Sequence, residues 1–279
     1  MHDRANEWDL ARLKGVAAPK AGMWLEAPPD RNLGLRLSNA EVRSRVSRRL
    51  GKEICEEGPC PLCFGVMDRW GVHAESCMSG GDKTIVHHCT RNSINRQCRL
   101  ANFGPQLEKG IDRMLGLDSD GRENDQGRER PADVHLVQAR DVCTGSRERV
   151  DGKVALDVAV VCPQAAGHRS SGARESLGAA EDYVRHKCSR ADMEARCRNA
   201  GVAFQPMVFE SLGGVSIEAR RVMKSVNKAV AENLDSPVSE VAQRFWWGVS
   251  VGIQKGMHKA FAKRSLGLGD VSDFANMEI

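Results

Sequence analysis

The first regular pattern of apolar residues in the chain predicts a helix between Ser38 and Gly51. Its apolar residues recur every four positions and therefore share one face: Val42, Val46 and Leu50. Glu41, three residues after Ser38, completes a capping box, and Gly51 is suited to end the helix. The other faces carry Arg43, Arg45, Arg48 and Arg49, which we expect to lie either in solvent or against phosphate groups.

A second helix is predicted from residue 83 to residue 101, with Asp82 as its cap. This segment is rich in basic residues and imidazoles: His87, His88, Arg91, Arg96 and Arg99. A basic helix at this place is suited to lie along a DNA backbone. At the start of the chain, residues 1–34 are rich in Pro, Gly and Ala, and this composition predicts an irregular lead-in before the first helix.

The second half of the chain alternates between strand and helix patterns. Residues 132–137 alternate like a strand with one buried face, and residues 153–163 form a continuous aliphatic run typical of a strand buried on both sides. Residues 202–210 predict a third strand. Helices are expected over residues 175–200, 215–233 and 237–264, and polar connections over residues 116–131 and 138–152. Alternating strands and helices favour a mixed α/β core.

Composition narrows the possible classes of protein. The 279 residues suffice for one large domain or two modest ones, and the net charge of +4 permits a nucleic-acid partner without requiring one. The N-terminus has no apolar signal segment, and no run of eighteen apolar residues occurs, so we expect neither secretion nor a membrane span. The ten cysteines therefore indicate metal binding or small core residues, not disulfides.

Four candidate metal ligands lie in the run CPLCFGVMDRWGVHAESC. They have the spacing C-x2-C-x9-H-x3-C: Cys60, Cys63, His73 and Cys77. Three thiolates and one imidazole complete the tetrahedral shell of a structural Zn²⁺ ion and leave no position for a catalytic water. The sequence therefore predicts a closed zinc knuckle. The other cysteines are expected to be small core residues, although Cys89 lies close to the knuckle and beside two histidines.

Two acidic residues in the predicted strands are candidates for a catalytic site. Asp133 begins one strand, and Asp157 lies inside the buried strand, where an aspartate is costly unless it binds something. Mg²⁺ takes one or two carboxylates and completes its octahedron with water and phosphate oxygens. Glu108 is a candidate third ligand, and Lys187, one helical turn after Tyr183, is suited to stabilise a pentacovalent transition state. Considered alone, Asp133 could equally be a turn residue, and Lys187 could equally be an ordinary surface lysine.

The order of these motifs resembles the C-terminal part of proteins encoded by non-LTR retrotransposons that carry a restriction-like endonuclease. In that family a CCHC zinc knuckle precedes a nuclease domain of the PD-(D/E)xK type. The resemblance covers about residues 20–264 and rests on the knuckle and on the stretches RPADV, ALDVAVV, AAEDYVRHK, GVAFQPMVFESLGG and RFWWGVSVGIQKGMHKAFAKR. It implies an α/β fold in which the knuckle leads into a restriction-endonuclease-like core, with a mixed sheet flanked by helices.

By this resemblance, Asp133 is similar to the first nuclease acid and Asp157 to the second, so together they would hold Mg²⁺. The general nuclease pattern has a lysine two residues after the second acid, where this chain has Ala159. In the retrotransposon branch the lysine comes from the following helix instead, and Lys187 occupies that place. Lys153, four residues before Asp157, is a poorer substitute because it lies two pleats away on the strand.

These inferences together predict four segments: a lead-in with a basic helix over 1–57, the zinc knuckle over 58–82, the restriction-like domain over 83–264 and a tail over 265–279. The predicted function is a Mg²⁺-dependent endonuclease that nicks duplex DNA in the nucleus, with structural Zn²⁺ and with DNA, or RNA, as partner. The chain has no F/Y-x-D-D motif, so we expect it to make a nick but not to extend it by reverse transcription.

Two alternatives stay open. One is a catalytically inactive, zinc-dependent module that binds nucleic acid, and the other is a zinc knuckle that binds protein. Catalysis requires Asp133, Asp157 and Lys187 to converge in a cleft that is open to solvent. Carboxylates that are buried against arginines would instead favour the inactive module.

Overall fold

A computed structural model of the protein describes residues 6–109, 132–144 and 148–265. The expected polar loop over 116–131 lies outside the described residues, as does nearly all of the predicted tail. The helices are α1 (Glu7–Val16), α2 (Met23–Glu26), α3 (Asn39–Leu50), α4 (Val72–Ser76), α5 (Asp82–Leu100), α6 (Arg169–Arg174), α7 (Gly178–Ser189), α8 (Met193–Asn199), α9 (Ile217–Asn233) and α10 (Val238–Ser265). No helix in the described part of the chain is long and apolar enough to cross a membrane.

The strands form two sheets. The short strands β1 (Gly58–Pro59) and β2 (Val66–Met67) make an antiparallel hairpin. The larger sheet contains β3 (Pro105–Lys109), β4 (Ala132–Cys143), β5 (Arg149–Val161) and β6 (Ala203–Glu210), in that spatial order. β4 runs antiparallel to both β3 and β5, and β6 runs parallel to β5. The expected mixed sheet flanked by helices is therefore confirmed.

The strand β5 is buried on both faces, as its continuous aliphatic sequence predicts. Residues with even numbers, such as Leu156 and Val158, pack into the main core with α5, α9 and α10. Residues with odd numbers face the other side, where Ala159 packs against α7 and Ala155 against α8. Asp157 belongs to this second face because side chains alternate along a strand.

The expected helix after Ser38 is present, but its buried face is not the one that the apolar pattern predicts. Ser38 and Glu41 form the capping box, and Gly51 ends the helix in the left-handed conformation. Leu50 is 60% exposed, whereas Arg45 and Arg48 are buried. The expectation that these two arginines lie in solvent or against phosphate is wrong, because a buried carboxylate, described below, binds both.

Three other boundaries differ from the sequence prediction. The lead-in is not wholly irregular, since it contains α1 and α2. Asp82 is not the cap of α5; Gly81 occupies that position, and the carboxylate of Asp82 pairs with Arg264. The polar stretch 138–152 belongs largely to the β4–β5 hairpin, because both strands extend well beyond their apolar segments.

The single helix expected over residues 175–200 is divided into α7, a 3₁₀ turn over Arg190–Asp192, and α8. Ala191 and Asp192 have positive φ angles of 50° and 52°, which an α-helix does not accommodate. The break changes the direction of the chain, so that α7 and α8 cover different patches of the same sheet face.

Candidate functional site

The four predicted zinc ligands come together at the β1–β2 hairpin and α4. One ligand atom from each of Cys60, Cys63, His73 and Cys77 lies within 4.8 Å of all the others. The Sγ atoms of Cys63 and Cys77 are 3.6 Å apart, and Cys63 Sγ is 3.2 Å from His73 Nε2. A tetrahedral ion with Zn–S bonds of about 2.3 Å requires sulfur atoms about 3.8 Å apart, so the four donors fit Zn²⁺. All ten cysteines are free thiols, which leaves these three available as ligands.

The local sequence explains why the ligands converge. Gly65 O accepts a hydrogen bond of 2.7 Å from Cys60 N and closes the first ligand turn. A Cβ atom at Gly65 would lie 3.1 Å from the His73 ring, so the small residue lets the imidazole approach. The Asp68 carboxylate then accepts from three backbone amides, including His73 N at 2.7 Å, and thereby holds the start of α4, which carries His73 and is followed directly by Cys77.

The last helix, α10, contacts the segment that carries the candidate metal ligands, although the two are far apart in sequence. Arg264 is buried and donates to Ser79 O at 2.7 Å and to the Asp82 carboxylate at 2.8 Å. Burial raises the pKa of the Cys77 thiol, but hydrogen bonds from Arg264 and the Ser79 backbone lower it overall. Because three thiolates around Zn²⁺ leave a net negative charge, the guanidinium stabilises the charge state that the ion requires.

A buried ion cluster joins the metal-binding helix α4 to the core. Glu75, between two of the metal ligands, accepts from Arg45 at 2.9 Å, from Arg48 at 3.1 Å and from Ser211 Oγ at 2.6 Å. Burial opposes ionisation, but the two guanidiniums lower the pKa of Glu75 to about 2. The carboxylate is therefore ionised, and it holds α3, α4 and the end of β6 together.

The two predicted acids meet on the larger sheet. Antiparallel β4 and β5 pair Val134 with Leu156, and this register places Asp133 directly opposite Asp157. Directly opposed residues in an antiparallel pair have Cβ atoms about 5 Å apart. The side chains are 18% and 15% exposed, so the pair is mostly buried and still reached by solvent.

Each acid has a basic side chain from a different helix beside it. Lys187 Nζ on α7 donates to Asp157 Oδ1 at 2.7 Å, and it also lies 5.7 Å from the centre of the Tyr183 ring. His87 Nε2 on α5 lies 3.0 Å from Asp133 Oδ2, which also accepts from Val158 N at 2.7 Å. The structure thus brings the two acids and Lys187 together in one half-buried group, with an imidazole beside them.

The two carboxylates have opposite pKa shifts. Burial raises the pKa of Asp157 to about 6; the neighbouring carboxylate adds to this rise and Lys187 opposes it. Burial also disfavours the charge on Asp133, but hydrogen bonds from His87 and Val158 lower its pKa overall. Two carboxylates that repel each other in a partly desolvated place are an arrangement that a divalent cation stabilises.

Glu108 lies on the edge strand β3, where its carboxylate pairs with Arg91 of α5. In the part of the chain that the structure describes, the cluster around Cys60 is the only set of three or more His, Cys, Asp or Glu ligands within 4.8 Å of one another. The acid pair therefore offers two protein ligands as it stands, and the role of Glu108 as a third stays a prediction.

Sequence reasoning did not assign three functional contacts that the structure reveals. His87 lies 46 residues before Asp133, and Arg264 lies 182 residues after Asp82. Glu75 lies within the predicted zinc motif but is not one of its ligands. Its partners, Arg45 and Arg48, were predicted to lie on a polar face of the helix. No local pattern marks any of these contacts, because each one joins distant segments.

Compared with family models, curated proteins and solved structures, the chain matches none.

Proposed function

We propose that this chain is a Mg²⁺-dependent DNA endonuclease module that nicks duplex DNA, with a Zn²⁺-organised knuckle that contributes to nucleic-acid binding. One observation carries the proposal: Asp133 and Asp157 lie opposite each other on neighbouring strands, with the ammonium group of Lys187 2.7 Å from Asp157. The basic partners of these acids are a lysine and a histidine, not arginines, which favours the catalytic interpretation over the inactive one.

The fold supports the same proposal. A mixed sheet flanked by helices, with two acids on adjacent central strands, is what a restriction-endonuclease-like core implies. The position two residues after the second acid holds Ala159, which is buried against α7. A lysine from α7, Lys187, lies beside Asp157 instead, which supports the proposal that the site follows the retrotransposon variant of the nuclease pattern. The proposal includes DNA in the nucleus as the substrate.

In the proposed mechanism, Asp133 and Asp157 would hold the cation, whose chemistry there would be to polarise a phosphate oxygen and to lower the pKa of a water. Lys187 exchanges its contact with Asp157 for a non-bridging phosphate oxygen and stabilises the charge of the pentacovalent transition state. The neighbouring Tyr183 ring limits the orientations of the lysine chain and so keeps the ammonium group close to the acids. The two carboxylates, which repel each other as they stand, would do so less with a cation bound.

A plasmid-nicking assay with Mg²⁺ tests the proposal. The wild-type protein is expected to convert supercoiled plasmid to open circles, whereas Asp133→Ala and Asp157→Ala are expected to leave it supercoiled. Asp151→Ala is a matched control, because Asp151 lies on the same strand as Asp157 but is exposed. Cleavage that survives in Asp157→Ala would place the site elsewhere. No cleavage by any protein, with DNA still retarded on a gel, would favour a nucleic-acid-binding module without catalysis.

A further inference from the structure

The imidazole of His87 lies within hydrogen-bond distance of Asp133, and the sequence assigns it no role. Its side chain is 27% exposed, and it projects from α5 toward the start of β4. The neighbouring His88 is exposed, and the two rings lie 5.6 Å apart. Of these two adjacent histidines, His87 is the one that has a hydrogen bond with Asp133.

The hydrogen bonds at Asp133 determine which of its oxygens can bind a cation. Oδ2 accepts from Val158 N at 2.7 Å and from His87 Nε2 at 3.0 Å. An ionised carboxylate only accepts hydrogen bonds, so Nε2 must be the nitrogen that carries the proton. Each carboxylate oxygen has about two lone-pair sites, and these two donors use both sites on Oδ2. The remaining oxygen, Oδ1, is then the one left to face a ligand.

We propose that His87 is a positioning residue that orients the Asp133 carboxylate so that Oδ1, and not Oδ2, binds the divalent cation. The inference rests on the proposed function, since it assumes that the acid pair holds the cation. Val158 N is a backbone donor on β5, and His87 belongs to a helix on the main-core side, so together they fix the carboxylate from two separate elements. Without the imidazole, the carboxylate can rotate about its Cβ–Cγ bond and lose the correct orientation.

The imidazole acts through Asp133 and is not itself a ligand. As placed, the ligand atoms of His87, Asp133 and Asp157 are not all within 4.8 Å of one another, whereas the knuckle ligands are. Hydrogen-bond partners of metal ligands commonly contribute 10- to 100-fold to metal affinity or activity. We therefore expect the loss of His87 to weaken cation binding by about 10-fold or more and to slow nicking by a similar factor.

The experiment measures Mn²⁺ binding to the zinc-loaded full chain by electron paramagnetic resonance, since Mn²⁺ replaces Mg²⁺ in oxygen sites and gives a direct signal. The variants are His87→Ala, His87→Gln, whose amide restores a donor at the position of Nε2, and His88→Ala as the matched control. We expect wild-type affinity for His87→Gln and His88→Ala and at least about 10-fold weaker binding for His87→Ala. Zinc content and Tm are expected to stay at wild-type values in all three.

Two results separate the inference from the proposed function. If Asp133→Asn does not weaken Mn²⁺ binding, the acid pair is not the cation site, and both proposals fail. If Asp133→Asn weakens binding but His87→Ala does not, the cation site stands and the role of His87 is overturned. If His87→Ala lowers Tm, His87→Phe is used as the test variant instead, because its ring fills a similar space but has no hydrogen-bond donor. Wild-type Mn²⁺ affinity in His87→Phe would also overturn the inference.

Discussion

Replacement of the buried carboxylate of Glu75 by an amide is expected to lower the free energy of unfolding by about 3 kcal/mol. Among the described residues, Glu75 is the carboxylate that forms ion pairs with both Arg45 and Arg48, so Glu75→Gln leaves two buried guanidiniums without this counter-charge. The amide keeps the size and shape of the side chain. The loss therefore reports electrostatics and hydrogen bonding, with little contribution from a cavity.

The magnitude follows from the structure in two ways. The pKa of Glu75 falls from its usual value of 4.5 to about 2. At about 1.4 kcal/mol per pH unit, the folded state favours the ionised carboxylate by about 3 kcal/mol. Removal of one partner from a buried ion pair independently costs about 3–5 kcal/mol. The two estimates agree because both describe the same two guanidiniums.

Urea unfolding at pH 7 and at a fixed free zinc concentration measures the effect. Tryptophan fluorescence is a suitable signal, because the Trp8 ring lies 5.9 Å from the Arg48 guanidinium and 4.5 Å from the Trp70 ring. Glu56→Gln is the matched control, since Glu56 lies near the same metal motif but is exposed.

The pH dependence is a second check. A carboxylate with a lowered pKa in the folded state contributes stability above its unfolded pKa, and this contribution is lost as the pH falls through the folded value. The difference between wild type and Glu75→Gln should therefore be complete at pH 7 and should shrink between pH 4.5 and about 2. A free energy of unfolding within 1 kcal/mol of the Glu56→Gln control at pH 7 would refute the reasoning.

Three further predictions concern the metal site and a second buried acid. Cys60→Ser should release zinc and lower Tm, because structural Zn²⁺ contributes directly to folding; unchanged zinc by atomic absorption, with Cys89→Ser as control, would contradict the assignment. Arg264→Gln should weaken zinc affinity by about 10-fold in a chelator competition, whereas Lys263→Gln should not; equal affinities would remove Arg264 from the site. Burial raises the pKa of Glu210 to about 7, so its contribution to stability is lost as the pH rises from 4.5 through 7. In the wild type, the free energy of unfolding should therefore fall by about 3 kcal/mol between pH 5 and pH 8 because of Glu210, and Glu210→Gln should remove this fall. The same pH dependence of the free energy of unfolding in both proteins, measured with urea, would contradict the prediction.

Local signals in the sequence predicted the elements whose causes are local. The capping box at Ser38, the aliphatic run of β5 and the ligand spacing around Cys60 each depend on a few neighbouring residues, and the structure confirms all three. The break at Ala191 was missed because alanine is a good helix former, although Ala191 adopts a left-handed conformation with a φ angle of 50°. Similarly, the apolar stripe of α3 gave the wrong buried face, because a distant carboxylate made burial of the arginines favourable.

The sequence by itself determined the mixed α/β class of the fold, the four residues of the candidate metal site, and which two acids and which lysine to consider as a group. Only the tertiary structure decided how these groups meet, because strand register, and not sequence distance, sets Asp133 opposite Asp157. It also decided the partners of the charged residues, such as His87 and Arg264. A charged side chain carries no local mark of the oppositely charged group that it will meet, and burial of the charge becomes favourable only when both are in place.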